Sequence, residues 1–84
     1  MKRLTLDELK DALRAAAGED EPGALDEDIL DKEFADLGYD SLAVMEMTSL
    51  VQRRLGVKLP EEEVVEVHTP REFLSFANGK LVAT

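Results

Sequence analysis

The sequence predicts an all-α fold: four helices, with one long loop between the first and the second. Three observations predict it. Apolar residues recur at three- and four-residue spacing in separate stretches of the chain. Helix-starting signatures stand before them, at Thr5 with Glu8, at Asp40, at Pro60, and at Thr69 with Pro70 and Glu72. Gly18 and Gly56 stand where the first two patterns stop.

In the first helix Thr5 and Glu8 form a capping box, and Leu6, Leu9, Leu13 and Ala16 share one face up to Gly18. Asp7, Lys10, Asp11 and Arg14 make the opposite face an ordinary solvated one. From Gly18 to Gly38 the chain changes character. Glu19, Asp20, Glu21, Pro22 and Gly23 do not suit a helix interior, and Leu25, Ile29, Leu30, Phe34 and Leu37 are the apolar anchors of a long ordered loop. Loops of this length in compact domains are functional or pinned by their own side chains, and five apolar residues point to pinning. The loop's carboxylates do not form an EF-hand. Counting from Asp26, the sixth residue is Asp31 where glycine is required and the twelfth is Leu37 where glutamate is required.

The second helix is expected from Ser41 to Leu55, ending at Gly56, with Val44, Met47, Thr48, Val51 and Leu55 on its core face. Leu42, Met45, Glu46 and Ser49 fall on the solvent side with Ser41. Two apolar residues beside a carboxylate on an exposed helix face make a protein-docking strip. Pro60 opens a third helix of about two turns, with Glu61, Glu62 and Glu63 at its positive end and Val64, Val65 and Val67 as its apolar residues. Thr69, Pro70, Arg71 and Glu72 start the last helix, whose stripe is Phe73, Leu74, Phe76, Ala77 and Leu81. Asn78 and Gly79 mark an end for it, or Lys80, Leu81 and Val82 prolong it. Arg71 and Asn78, seven residues apart, lie together at the edge of that stripe.

Eighty-four residues with 44% apolar content allow one globular domain, residues 1–84. Nineteen acidic against ten basic side chains give a net charge of -9, which repels nucleic acid and anionic lipid and attracts proteins with basic patches. One Tyr, three Phe and no Trp supply no aromatic platform for bases. Without Cys there is no disulfide, no thiolate metal site and no cysteine nucleophile, so thiol chemistry requires an added group. Charges at Asp7, Glu8, Lys10 and Asp11 interrupt what would be a signal peptide's apolar stretch, and no uncharged run reaches the length of a membrane span. The expectation is a cytoplasmic protein. His68, the single histidine, has no second His or Cys beside it and is not read as a metal ligand or catalytic group.

The stretch Gly38, Tyr39, Asp40, Ser41, Leu42 joins the acidic loop to the second helix. Asp40 is a good N-cap, and Ser41 falls in the first turn, where unpaired N–H groups and the helix dipole favour an anionic substituent such as a phosphate ester. Ser41 has no visible base. It is better placed to receive a group from another enzyme than to attack a substrate itself.

From Leu4 to Gly79 the chain resembles the acyl carrier proteins. The resemblance rests on Phe34, Leu37, Gly38 and Tyr39 leading into Asp40, Ser41 and Leu42, on Glu46, on Leu59 and Pro60, and on Thr69 with Asn78 and Gly79. It implies an acyl-carrier-like bundle of three major helices and one short third helix. Ser41 would carry covalent 4'-phosphopantetheine, taken from coenzyme A by a magnesium-dependent phosphopantetheinyl transferase. Asp40, Leu42, Met45 and Glu46 match the family's recognition residues, whereas Ser49 departs from the apolar residue often found there.

Tyr39 and the run Thr69, Pro70, Arg71, Glu72 look most like the free-standing carriers of bacterial type II (aromatic) polyketide synthases. The implied partners are a ketosynthase/chain-length factor, a malonyl transferase and a ketoreductase or cyclase, met by a monomeric, non-catalytic carrier. Thr48, Arg71 and Asn78 are expected to offer hydrogen bonds to the carbonyls of a poly-β-keto cargo. The alternatives are a fatty-acid or peptidyl carrier and, from a different class, an unmodified acidic helical adaptor.

Overall fold

The computed structural model describes residues 3–17 and 29–83. Gly18, Leu25 and the start of the calcium register at Asp26 lie outside the described residues. The described residues form four helices and no strand: α1 (Leu6–Ala17), α2 (Ser41–Leu55), α3 (Glu61–Val64) and α4 (Pro70–Ala83). The all-α, four-helix fold is as the sequence predicts.

The Thr5–Glu8 capping box forms. Glu8 N–H donates to Thr5 Oγ1 at 3.2 Å and Thr5 N–H to Glu8 Oε1 at 3.3 Å. Leu9, Ala12 and Leu13 are fully buried, so α1 presents one apolar stripe to α2 and α4. In α2 the buried residues are Met47, Thr48, Val51 and Leu55. The helix ends where Gly56 takes the left-handed conformation at φ 64° and donates its N–H to the Gln52 carbonyl. A residue with a Cβ is strained in that conformation, so glycine suits the stop.

Between α2 and α3 the Gln52 side chain accepts a hydrogen bond from Leu59 N–H at 2.7 Å, and Val57 and Leu59 enter the core. Pro60 has φ -60° and ψ 134°, placing it just before the helix rather than in it. The expected two-turn third helix is shorter than that. α3 is a single turn, followed by tight bonds from Glu66 N–H to the Glu63 carbonyl and from Val67 N–H to the Val64 carbonyl. The physical reason is burial. Val64 is in the core and Val67 packs partly against it, but Val65 is 60% exposed and Glu66 is exposed, so little buried surface draws the helix onward.

α4 begins with a second reciprocal cap, Glu72 N–H to Thr69 Oγ1 and Thr69 N–H to Glu72 Oε1. It runs through Gly79 to Ala83, taking the longer of the two expected courses. Leu81 packs against the core, and Lys80 bridges back to Glu63 at 3.0 Å, so tertiary contacts carry the helix past its glycine. Phe73 is the centre of an aromatic chain. Its ring meets Phe34 edge-on at 6.4 Å and Phe76 at 6.2 Å.

The segment before α1 is clamped to α4 by one side chain. Asn78 Oδ1 accepts from Leu4 N–H at 2.7 Å, and Asn78 Nδ2 donates to the Leu4 carbonyl at 3.1 Å. Both bonds are partly buried, and Leu4 itself lies in the core. Replacing Asn78 by Ala strands both backbone groups. We expect Asn78→Ala to lower unfolding free energy by about 1–3 kcal/mol, read from urea denaturation with an unchanged m value.

Candidate functional site

The site is built at the junction of the loop and α2. Phe34, buried, uses both of its backbone groups there. Its N–H donates to the His68 carbonyl at 2.8 Å, and its carbonyl accepts from Leu37 N–H at 3.0 Å and Tyr39 N–H at 2.9 Å. The chain turns through Gly38 at φ 89°, a left-handed value that a side chain would strain. Leu37 and Tyr39 point into the core on either side of it. The turn leaves Asp40 extended, at φ -82° and ψ -179°, and α2 starts at the next residue.

Asp40 caps that start. Its Oδ1 accepts from Ala43 N–H at 2.9 Å, and its carbonyl accepts from Val44 N–H at 3.0 Å. Ser41 and Leu42 follow in the first turn, where the N–H groups have no partner inside the helix, and both side chains are exposed. A phosphate ester on the Ser41 hydroxyl would lie at these N–H groups and at the positive end of α2.

Beside Ser41 opens a cleft of about 430 Å³ between α2 and the α3 turn. Val44 and Met45 line it from α2, Val64, Val65 and Val67 from the other wall. Glu33, Asp40 and Glu61 rim it with negative charge. Met45, expected on the solvent side, is half-buried as part of this wall. Leu42 is 68% exposed and Glu46 is exposed, both as expected. Val65, expected only as one of the apolar residues of the third helix, lines this cleft. The signal that could have found it is its immediate neighbour Val64, since adjacent valines on one short turn cannot both face inward.

His68 lines the same cleft as Ser41, a proximity that sequence separation hid. No hydrogen bond joins the two, and His68 is exposed. The His68 backbone N–H donates to Glu72 Oε1 at 2.8 Å.

Thr48, Arg71 and Asn78 are not brought together, and none lines this cleft. The Thr48 hydroxyl is buried and donates to the Val44 carbonyl at 2.8 Å. Arg71 is exposed and grips Asp31, with Nε to Oδ1 at 2.7 Å. That guanidinium holds the Asp31 carboxyl below the usual carboxylate range, chiefly through its hydrogen bond and also through its charge, against an opposing effect of desolvation. Arg71 N–H also donates to the Leu30 carbonyl, so the start of α4 ties down the loop. Arg71 and Asn78 border a separate, open depression with Arg3, Leu30 and Leu74. Among the described residues no group of three or more His, Asp or Glu could hold a metal ion, and no helix is long and apolar enough to cross a membrane.

A capped helix start presenting an exposed serine beside an apolar, acid-rimmed cleft fits a covalently attached carrier arm. Residues 7–77 match the family described as phosphopantetheine attachment site. The chain is 52% identical to the granaticin polyketide synthase acyl carrier protein of Streptomyces violaceoruber, over 94% of this chain and 93% of that protein. It is 49% identical to an anthracycline acyl carrier protein of Streptomyces peucetius, over 99% of this chain and 98% of the relative. Among solved structures, the octanoyl form of the actinorhodin acyl carrier protein from Streptomyces coelicolor superposes with a TM-score of 0.90 at 43% identity, covering 99% of this chain and 96% of that one.

The chain belongs to the acyl carrier proteins of type II polyketide synthases. It is a carrier rather than a catalyst, and the group that its family carries covalently is 4'-phosphopantetheine.

The cap that starts α2 is worth a measurable share of stability. We expect Asp40→Ala to cost about 1 kcal/mol, seen in thermal or urea unfolding, while Asp40→Asn, which keeps the accepting oxygen, costs less.

Proposed function

We propose that the chain holds acyl and polyketide intermediates as thioesters on a 4'-phosphopantetheine arm attached to Ser41, and presents them in turn to the enzymes of a type II polyketide synthase. The observation that carries this is the exposed Ser41 at the Asp40-capped start of α2, at the mouth of the cleft. When attached, the group supplies the terminal thiol that the cysteine-free chain lacks.

The chain's own residues do the rest. The Ser41 hydroxyl is the point of esterification, in a transfer from coenzyme A by a separate phosphopantetheinyl transferase. The first-turn N–H groups of α2 stabilise the resulting phosphate charge. Val44, Met45, Val64 and Val65 offer apolar surface along which a bound chain can leave water. Asp40, Leu42, Met45 and Glu46 form the recognition strip, with Leu42 as its projecting apolar contact and the carboxylates complementing basic entrances on partner enzymes. The partners in this reading are the transferase, a ketosynthase/chain-length factor, a malonyl transferase and a ketoreductase or cyclase, each meeting one monomeric domain.

Two experiments test it. After incubation with coenzyme A, magnesium and a broad-specificity phosphopantetheinyl transferase, the intact mass of the wild type gains one phosphopantetheine and that of Ser41→Ala gains none. Modification of the Ala variant, or none of the wild type beside an active control, removes Ser41 from this role. The expected cargo contacts require Thr48, Arg71 and Asn78 to exchange the partners they hold for cargo carbonyls. NMR shifts of those three residues are then larger in a polyketide-mimic form than in the octanoyl form. The reverse order counts against the contacts.

A further inference from the structure

The charge of the molecule is unevenly distributed along α2. Its Ser41 end is ringed by exposed carboxylates, with Glu33, Asp40 and Glu61 on the rim of the cleft and Glu46 one turn on. Past Glu46 the balance inverts. In a chain with nineteen acids, the stretch from Met47 to Pro60 contains none, and it contains Arg53, Arg54 and Lys58. All three are exposed, and among the described residues none forms an ion pair. The Gln52–Leu59 hydrogen bond folds the residues after α2 back against its last turn, which keeps Lys58 at the same end as the two arginines. From Ser41 to Arg53 the axis is about 18 Å long.

We infer that Arg53, Arg54 and Lys58 are the repelling end of a charge dipole laid along α2, and that this end turns the carrier so that Ser41 meets the basic rim of a partner's entrance first. The inference rests on the reading of Ser41 as the attachment site. The occupant it commits to is a protein with a basic entrance, by complementarity with the carboxylates around Ser41. A uniformly acidic carrier would be drawn to such an entrance in any orientation, and most encounters would present the wrong face. A basic far end makes reversed encounters repulsive while the two surfaces are still separated, which raises the productive fraction. The Debye length is about 30 Å at 0.01 M salt and about 8 Å at 0.15 M. Both ends of an 18 Å axis therefore act together at low salt and become separate at high salt.

Basic residues in a last helical turn also complement the helix dipole. That role by itself affects unfolding and leaves the rate of modification unchanged, which makes the two roles separable.

The experiment measures kcat/KM for phosphopantetheine transfer onto the full chain, with coenzyme A, magnesium and a broad-specificity transferase, at about 0.01 M and about 0.5 M salt, where the Debye lengths are about 30 Å and about 4 Å. The variants are R53E/R54E/K58E and the milder R53Q/R54Q/K58Q. Reversal takes the net charge from -9 to -15, since three changes of two units each are added to the -9 of the wild type. If net charge alone steers the carrier, the reversed variant is modified faster. The dipole predicts the opposite, a fall of about threefold or more at low salt, with the glutamine variant in between and all three proteins alike at high salt.

An equal or faster rate for the reversed variant at low salt overturns the inference. So does a slowing that persists at high salt, which marks a damaged fold. Failure of the wild type itself to gain the group at either salt strikes the Ser41 reading instead, and this inference with it.

Discussion

The backbone of Phe34 is the constraint on which the site depends. Its N–H is held by the His68 carbonyl, its carbonyl closes the turn to Leu37 and Tyr39, and its ring stands edge-on to Phe73 at the core of α4. One residue thus fastens the loop to the α3–α4 connection, to the last helix and to the start of α2. Breaking any of these contacts would free the turn through Gly38. Asp40 and Ser41 would then lose their fixed relation to the cleft. The site is exposed and contains few internal contacts of its own, so its geometry is borrowed from this buried support.

The other ties reinforce the same arrangement. Arg71 grips Asp31 and donates its N–H to Leu30, Lys80 holds Glu63 at the far side of α3, and Gln52 receives Leu59. Each joins an irregular segment or the short α3 turn to a long helix. The exposed ion pairs contribute little energy individually. The Lys80–Glu63 pair ties α3 to α4, and the Leu59–Gln52 bond ties the segment before α3 to α2.

Function follows from a division of surfaces. Inward faces of α1, α2 and α4 are apolar and make the core, while the start of α2 is polar, capped and open. Among the described residues, carboxylates gather around that opening and cations stand at the other end of the same helix. A carrier must be recognised repeatedly by different enzymes at one serine. In the proposed reading, the fixed helix start at Asp40 and Ser41 serves that recognition.

The sequence by itself determined the helices, because spacing and caps act locally. Thr5 with Glu8, Asp40 and Thr69 with Glu72 need only their own neighbours to form, and Gly56 needs only its own conformational freedom. The capped helix start at Asp40 and Ser41 was legible for the same reason. What tertiary structure decided is whatever depends on residues distant in the chain. α3 stops after one turn because Val64 is buried while Val65 and Glu66 are exposed, α4 passes Gly79 because Leu81 and Lys80 find partners, and Met45 and Val65 become walls of a cleft that α2 does not define alone. Arg71 and Asn78, neighbours on one helix edge, go to different partners, Asp31 and Leu4, because periodicity specifies a face and not what is packed against it.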